Sequence, residues 1–186
     1  EIYGSSQFKK RNEYSKFKPD NCYAECKIKT SQLINKFRKY NKFFIINAIC
    51  YNHESIFTPK NHLLRKIIES FANKNLKKVE IFNPNEKRNI SHVYDFLPLF
   101  QKSIKSNKSD NYIFANTKNI SVKQISNLVN KKYQKKIYFV GKKNNSLSRM
   151  ANNEKIKNKF KYNPKFTNEK IISRMISYYT KNTFIK

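Results

Sequence analysis

Cys22-Tyr23-Ala24-Glu25-Cys26-Lys27 opens a run in which Leu33, Ile34 and Phe37 follow at helical spacing. A helix starting here stacks Tyr23 and Lys27 one turn apart on one face, because side chains at i and i+4 lie above one another. A tyrosine hydroxyl ordinarily holds its proton up to about pH 10, and an ammonium beside it favours the phenolate, which moves it toward use as a base near neutral pH. In a chain with 12 tyrosines and 40 basic residues the same spacing also arises by chance. The pair therefore takes its meaning from what surrounds it.

Downstream, Phe43-Phe44-Ile45-Ile46-Asn47-Ala48-Ile49-Cys50 is apolar without alternation, the pattern of a strand buried on both faces in a helix-covered parallel sheet. Residues 62–74 predict a helix with Leu63, Leu64, Ile67, Ile68 and Phe71 on one side. Residues 79–82 predict a strand and Asn83-Pro84-Asn85 a turn. Ser91 is the expected cap of a helix through 105 that carries Phe96, Leu97 and Phe100. Residues 112–115 and 136–140 predict further strands, with a helix over 121–132 between them. Helices are expected over 153–160 and 167–180, the first stopped by Pro164. Strand and helix alternate repeatedly, so the class is α/β. Upstream, residues 4–21 are polar and turn-rich, the composition of a surface loop. Glu1-Ile2-Tyr3-Gly4 reads as a strand end running into it, and an opening without methionine or a basic-then-apolar leader predicts a fragment or processed chain with no signal peptide.

At 186 residues the chain is long enough for one domain with a real core, and 38% hydrophobic and 15% aromatic content argue against disorder despite a mean hydropathy of -0.82. The formal net charge of +28 points first to a nucleic-acid binder. Two features weigh against that. Only six of the 40 basic residues are arginine, the residue suited to bidentate phosphate contacts, and the lysines are scattered over every segment. With Lys, Asn, Ile, Phe and Tyr abundant, Gly at 2 and Trp at 0, the composition follows A/T-rich codons and describes a solvated lysine surface. Three cysteines without metal-ligand spacing predict reduced thiols in a cytoplasmic setting, with Cys22 and Cys26 packed in the interior and no metal bound. No apolar run approaches the length of a membrane span.

Taken together, Glu1-Ile2-Tyr3-Gly4 and the Tyr23/Lys27 pair resemble the extended short-chain dehydrogenase/reductase superfamily of nucleotide-sugar enzymes, in which a Ser/Thr-x-Glu-x-Tyr-Gly strand end precedes a Tyr-x-x-x-Lys helix. Further segments narrow the likeness to the GDP-mannose 4,6-dehydratase family. Tyr51-Asn52-His53-Glu54-Ser55 and Arg65-Lys66-Ile67 resemble its Asn-His-Glu-Ser and Arg-Lys-Ile signatures. Lys87-Arg88-Asn89-Ile90-Ser91-His92-Val93-Tyr94-Asp95 resembles its Lys-Arg-Asp-Trp-Gly-His segment, and residues 152–164 resemble a segment near the end of these enzymes. Three features depart from the family. The glycine-rich nucleotide-binding first half is absent, Ile56-Phe57-Thr58 stand where the family carries arginines, and the stretch 142–149 is shorter than the family's sugar-nucleotide loop.

The resemblance implies the C-terminal part of a Rossmann-like doubly wound parallel sheet plus a small mixed α/β substrate-binding region. Residues 1–55 would be the second half of the dinucleotide-binding domain and 56–186 mostly the substrate-binding region. It implies NADP, or NAD, as cofactor, GDP-mannose as the nucleotide sugar, and a homo-oligomer when complete. Glu1, Tyr23 and Lys27 would be catalytic. Tyr23, Lys27 and His53 would meet the cofactor, and Asn52, Lys66, Arg88 and Arg149 the substrate. The implied reaction is conversion of GDP-mannose to GDP-4-keto-6-deoxymannose by internal hydride transfer. His62 and His92 read as structural, and Asp95 as a local cap or ion-pair partner. Three alternatives stand beside this. They are another extended short-chain epimerase or reductase on a nucleotide sugar, a lysine-rich nucleic-acid-binding protein, and a decayed product without activity.

Overall fold

A computed structural model describes residues 1–5, 9–41, 43–141 and 148–182; most of the shortened stretch noted above, 142–147, lies outside them. The α/β class is borne out. In chain order the elements are β1 (Lys10–Arg11), α1 (Cys22–Asn41), β2 (Ile46–Cys50), β3 (Asn52–Glu54), α2 (Leu63–Ala72), β4 (Lys78–Phe82), β5 (Lys87–His92), α3 (Val93–Lys105), β6 (Asp110–Phe114), β7 (Asn119–Ser121), α4 (Val122–Tyr133), β8 (Lys136–Val140), β9 (Met150–Ala151), α5 (Glu154–Phe160) and α6 (Asn168–Asn182).

Four of the five ladders are parallel: β1 with β9, β2 with β6, β3 with β5 and β4 with β8, while β5 also pairs antiparallel with β7. Parallel neighbours need a crossover between them, and here helices supply it. β2 and β3 are nearly continuous. Ile46 to Cys50 pair with Asp110 to Phe114, Tyr51 N–H donates to the Phe114 carbonyl at 2.9 Å, and Asn52 to Glu54 then pair with Ile90 to His92. One extended segment thus passes from one ladder to the next.

The largest core joins α2, α4 and α6 over β4 and β5, with Ile68, Phe71, Ile125, Val129 and Ile171 fully buried. Helix α2 buries Leu64, Ile67, Ile68 and Phe71, the stripe its spacing predicts. A second core packs Phe96 and Leu99 of α3 against Tyr112 and Phe114 of β6 and Ile156 of α5. A third sets Ile2 and Tyr3 against Ile113 and Ala115.

Several expectations change. Ser91 does not cap α3. It is the fully buried penultimate residue of β5, and His92 caps instead, its Nδ1 accepting the Tyr94 N–H at 3.2 Å. Asp95 is not a local partner, because its carboxylate accepts the backbone N–H groups of Lys165 at 2.9 Å and Phe166 at 3.1 Å, some 70 residues away. Helix α5 ends at Phe160 with Lys161 in the left-handed region at φ 52°, three residues before Pro164, so a left-handed cap and not the proline stops it. The strand over 43–50 is shorter and not buried on both faces. Phe43 and Phe44 are exposed and the residues of β2 are half-buried or exposed, since β2 pairs only with β6 among the described residues. Cys22 and Cys26 are exposed, because α1 turns Ala24 and Ser31 inward and each cysteine, two positions from Ala24, lies about 200° around the helix from it. Arg38 fastens the same helix to the sheet by polar contacts, donating to the carbonyls of Ile45 and Asp110 and to Asn111 Oδ1.

Removing the Asp95 carboxylate strands two backbone donors in the core. Asp95→Ala is expected to cost about 2–3 kcal/mol of unfolding free energy, read as a lower urea midpoint. Burial and the nearby Arg174 hold His92 below its ordinary 6.5, while Asp95 acts the other way. The unfolded chain then binds this proton more readily than the folded one, so stability falls as pH drops from about 6.5 through the lower folded value. His92→Asn, which keeps a cap acceptor, is expected to flatten that part of the thermal-midpoint profile.

Candidate active site

Residues 47–53 form one wall of a cavity of about 1010 Å³. Around it stand Glu1, Tyr23, Lys27, Asn52, His53, Arg88 and Arg149, so every residue expected to be catalytic or to meet cofactor or substrate is brought to one place except Lys66. Lys66 lies exposed on α2, away from the cavity lining. Its neighbour Arg65 faces inward, donating to the Thr58 carbonyl at 2.7 Å and lying 4.5 Å from the centre of the Tyr179 ring. Helical rotation of 100° per residue separates the two roles.

Tyr23 and Lys27 share the face of α1 that lines the cavity, and the Lys27 Nζ sits 5.3 Å from the Tyr23 ring centre. Two other tyrosines border the same space. Burial raises Tyr51 to about 12 and pushes Tyr3 up as well, so both hold their protons firmly. Tyr51 in addition donates its hydroxyl to the Met150 carbonyl at 3.3 Å. Tyr23 is the exposed member of the three and the one with an ammonium beside it.

Glu1 reaches the start of α1, where its Oε2 accepts from Asn21 Nδ2 at 3.1 Å. Arg88 on β5 pairs with Glu86 at 2.8 Å, and Arg149, just before β9, pairs with Asp20 at 3.0 Å. The Nε of each arginine is buried without a protein acceptor. Two guanidinium groups are thus held by carboxylates while keeping donor capacity, an arrangement suited to a phosphate or carboxylate ligand. His53 Nδ1 lies 3.1 Å from the Tyr51 carbonyl, so that nitrogen donates to it and Nε2 is the ring nitrogen left for a ligand. Behind the wall, Glu54 is buried and accepts the Thr58 hydroxyl at 2.9 Å, which closes the turn over 55–58.

The family described as GDP-mannose 4,6 dehydratase matches residues 1–182. The chain belongs to that family. It is 27% identical to the GDP-mannose 4,6 dehydratase of Cricetulus griseus over 159 residues, covering 84% of this chain and 43% of that protein, and 26% identical to the human enzyme over the same coverage. The chain therefore spans less than half the length of these curated relatives. Among solved structures, dTDP-glucose 4,6-dehydratase from Bacillus anthracis in complex with NAD superposes with a TM-score of 0.85 at 19% identity, over 97% of this chain and 59% of that one. That likeness establishes the extended Rossmann-type fold. No helix among the described residues is long and apolar enough to cross a membrane.

Sequence reasoning passed over Asn21, Asn89 and Tyr51. An Asn directly before an amphipathic run was a readable cap signal for the first. Asn89 holds the floor of the site by donating to the Asn116 carbonyl and accepting the Asn116 N–H, a pairing across 27 residues that no local pattern announces.

Burial raises Glu54 above its ordinary 4.5, against the Thr58 hydrogen bond and the nearby His62 and His53. The folded chain then binds this proton more tightly than the unfolded one, so the Glu54 contribution to stability declines as pH rises from about 4.5 through the folded value. Glu54→Gln, uncharged and of the same shape, is expected to gain thermal midpoint relative to the parent at about pH 8 and not at about pH 4, as measured by calorimetry.

Proposed function

We propose that the chain carries the proton-transfer groups and much of the nucleotide-sugar site of a GDP-mannose 4,6-dehydratase, converting GDP-mannose to GDP-4-keto-6-deoxymannose. The observation that carries this reading is the convergence of Glu1, Tyr23, Lys27, His53, Arg88 and Arg149 on one cavity. The protein is proposed to act in the cytoplasm, with residues 1–55 completing a dinucleotide-binding domain and most of 56–186 serving the substrate, and to work as a homo-oligomer.

The groups present suit a nicotinamide dinucleotide. An exposed lysine ammonium over the ring of an exposed tyrosine suits a ribose and a reacting sugar hydroxyl, and His53 offers a ring nitrogen at the same cavity. NADP or NAD, when bound, supplies the hydride acceptor and donor. The chain's own residues handle protons and position. Tyr23 is the base that takes the proton of the sugar's C4 hydroxyl, with the Lys27 ammonium 5.3 Å from its ring centre. A ketone at C4 acidifies the C5 hydrogen. Glu1 removes it and returns a proton to the hydroxyl leaving C6, so that water is lost. Arg88 and Arg149 bind the pyrophosphate, with Asn52 beside them, and keep the sugar near Tyr23.

Incubation of the protein, joined to whatever reading frame lies immediately upstream and supplies the glycine-rich half, with GDP-mannose and NADP, followed by mass spectrometry, is expected to give a sugar nucleotide lighter by one water. Tyr23→Phe is expected to lower its formation at least about 100-fold. An epimerised or reduced sugar nucleotide that keeps its C6 hydroxyl would instead move the assignment to an epimerase or reductase.

A further inference from the structure

Asn21 stands directly before α1 and uses both amide N–H donors and its carbonyl oxygen. Its Oδ1 accepts the Ala24 N–H at 2.8 Å, capping the helix that carries Tyr23 and Lys27. Its Nδ2 donates both to Glu1 Oε2 at 3.1 Å and to Asp20 Oδ1 at 2.8 Å. The partners fix the amide's orientation. Turned over, it would set an NH₂ group against the Ala24 N–H and its oxygen against two carboxylates. Asp20 in turn holds Arg149 through its other oxygen at 3.0 Å. A short chain of contacts therefore runs from Arg149 through Asp20 and Asn21 to Glu1, and Asn21 also roots it in the first turn of α1.

We infer that Asn21 is a positioning residue, whose side-chain amide sets the Glu1 carboxylate relative to Tyr23. The inference rests on the role given to Glu1 above. The two proton-transfer groups come from separate pieces of chain, Glu1 from the turn closed by the Gly4 N–H on its carbonyl at 2.8 Å and Tyr23 from α1, and among the described residues no backbone pairing joins Glu1 to the helix. A carboxylate on a flexible stem samples several rotamers, and one fixed donor selects the orientation that faces the cavity. These contacts are exposed, so their contribution is to orientation more than to stability.

The test separates the amide donor from the helix cap. Asn21→Ser keeps a cap oxygen and loses the donor, whereas Asn21→Asp keeps the shape and adds a third carboxylate beside Glu1 and Asp20. With GDP-mannose and NADP supplied, Asn21→Ser is expected to lower kcat about tenfold with KM within about twofold and an unchanged thermal midpoint, and Asn21→Asp to lower kcat further. In single-turnover experiments the 4-keto sugar, formed before Glu1 acts, is expected to accumulate in Asn21→Ser, and solvent deuterium is expected to enter C5 more slowly. Full activity in Asn21→Ser would reduce Asn21 to a helix cap and overturn the proposal. A readout independent of turnover is the side-chain amide signal of Asn21 in nitrogen-15 spectra, which is expected to shift in Glu1→Ala. If the parent protein forms no 4-keto sugar, the reading of the function fails, and an unmoved Asn21 amide signal in Glu1→Ala then overturns the positioning role separately.

Discussion

The extended segment from Ile46 to Glu54 pairs with two different parallel partners in succession, and the rest of the structure hangs on that. Because β6 and β5 are parallel to it, each must return by a crossover, and α2 and α3 with their loops make those returns. The switch between partners falls at Tyr51, whose N–H reaches the Phe114 carbonyl. Asn52 and His53 follow at once, opposite Ile90 and Ser91, so Arg88 and Asn89 arrive from the other side of the ladder. A site assembled from residues 1, 23, 52, 88 and 149 exists because one stretch of backbone collects strands from distant parts of the chain.

Charge is managed sparingly around that site. Forty cations face 12 carboxylates, and four of the carboxylates hold defined structural positions. Glu86 and Asp20 hold Arg88 and Arg149, Asp95 fastens the loop before α6, and Asp110 pairs with Lys155. An arginine already oriented by a carboxylate loses less freedom when it meets an anion. Lysines left over sit on exposed faces, where the ammonium groups of Lys78, Lys123 and Lys136 lie over the rings of Tyr138 and Phe139. That distribution fits a solvated surface better than a single polyanion track.

Much of the local structure was readable in advance. The apolar stripe of α2, the start of α4 at Ser121 with its reciprocal Gln124 cap, and β8 over Lys136–Val140 all follow from periodicity and cap chemistry. The misreadings share a cause. Ser91 looked like a cap because Ser before an apolar run is a common helix start, yet strand pairing claimed it and passed the cap to His92. Cys22 and Cys26 looked like small core residues, but which face of α1 turns inward depends on its neighbours. Lys66 matched a motif while Arg65 beside it received the inward position.

By itself, the sequence determined the helices, the strands β2, β4, β6 and β8, the α/β class and the candidate pair on α1, since spacing of 2.0 or 3.6 residues and side-chain capping are properties of neighbouring residues, whereas the strands β1, β3, β5, β7 and β9 carry no such local pattern. It also held the motif pattern that places the chain in its family. Only the tertiary structure decided that Glu1, His53, Arg88 and Arg149 meet Tyr23 and Lys27 around one cavity, that Asp95 serves a loop 70 residues away, and that Asn21 touches both Glu1 and α1. Those contacts arise between residues far apart in the chain, and their geometry is set by parallel strand pairing and by which helix faces the cores bury. No local pattern carries that information.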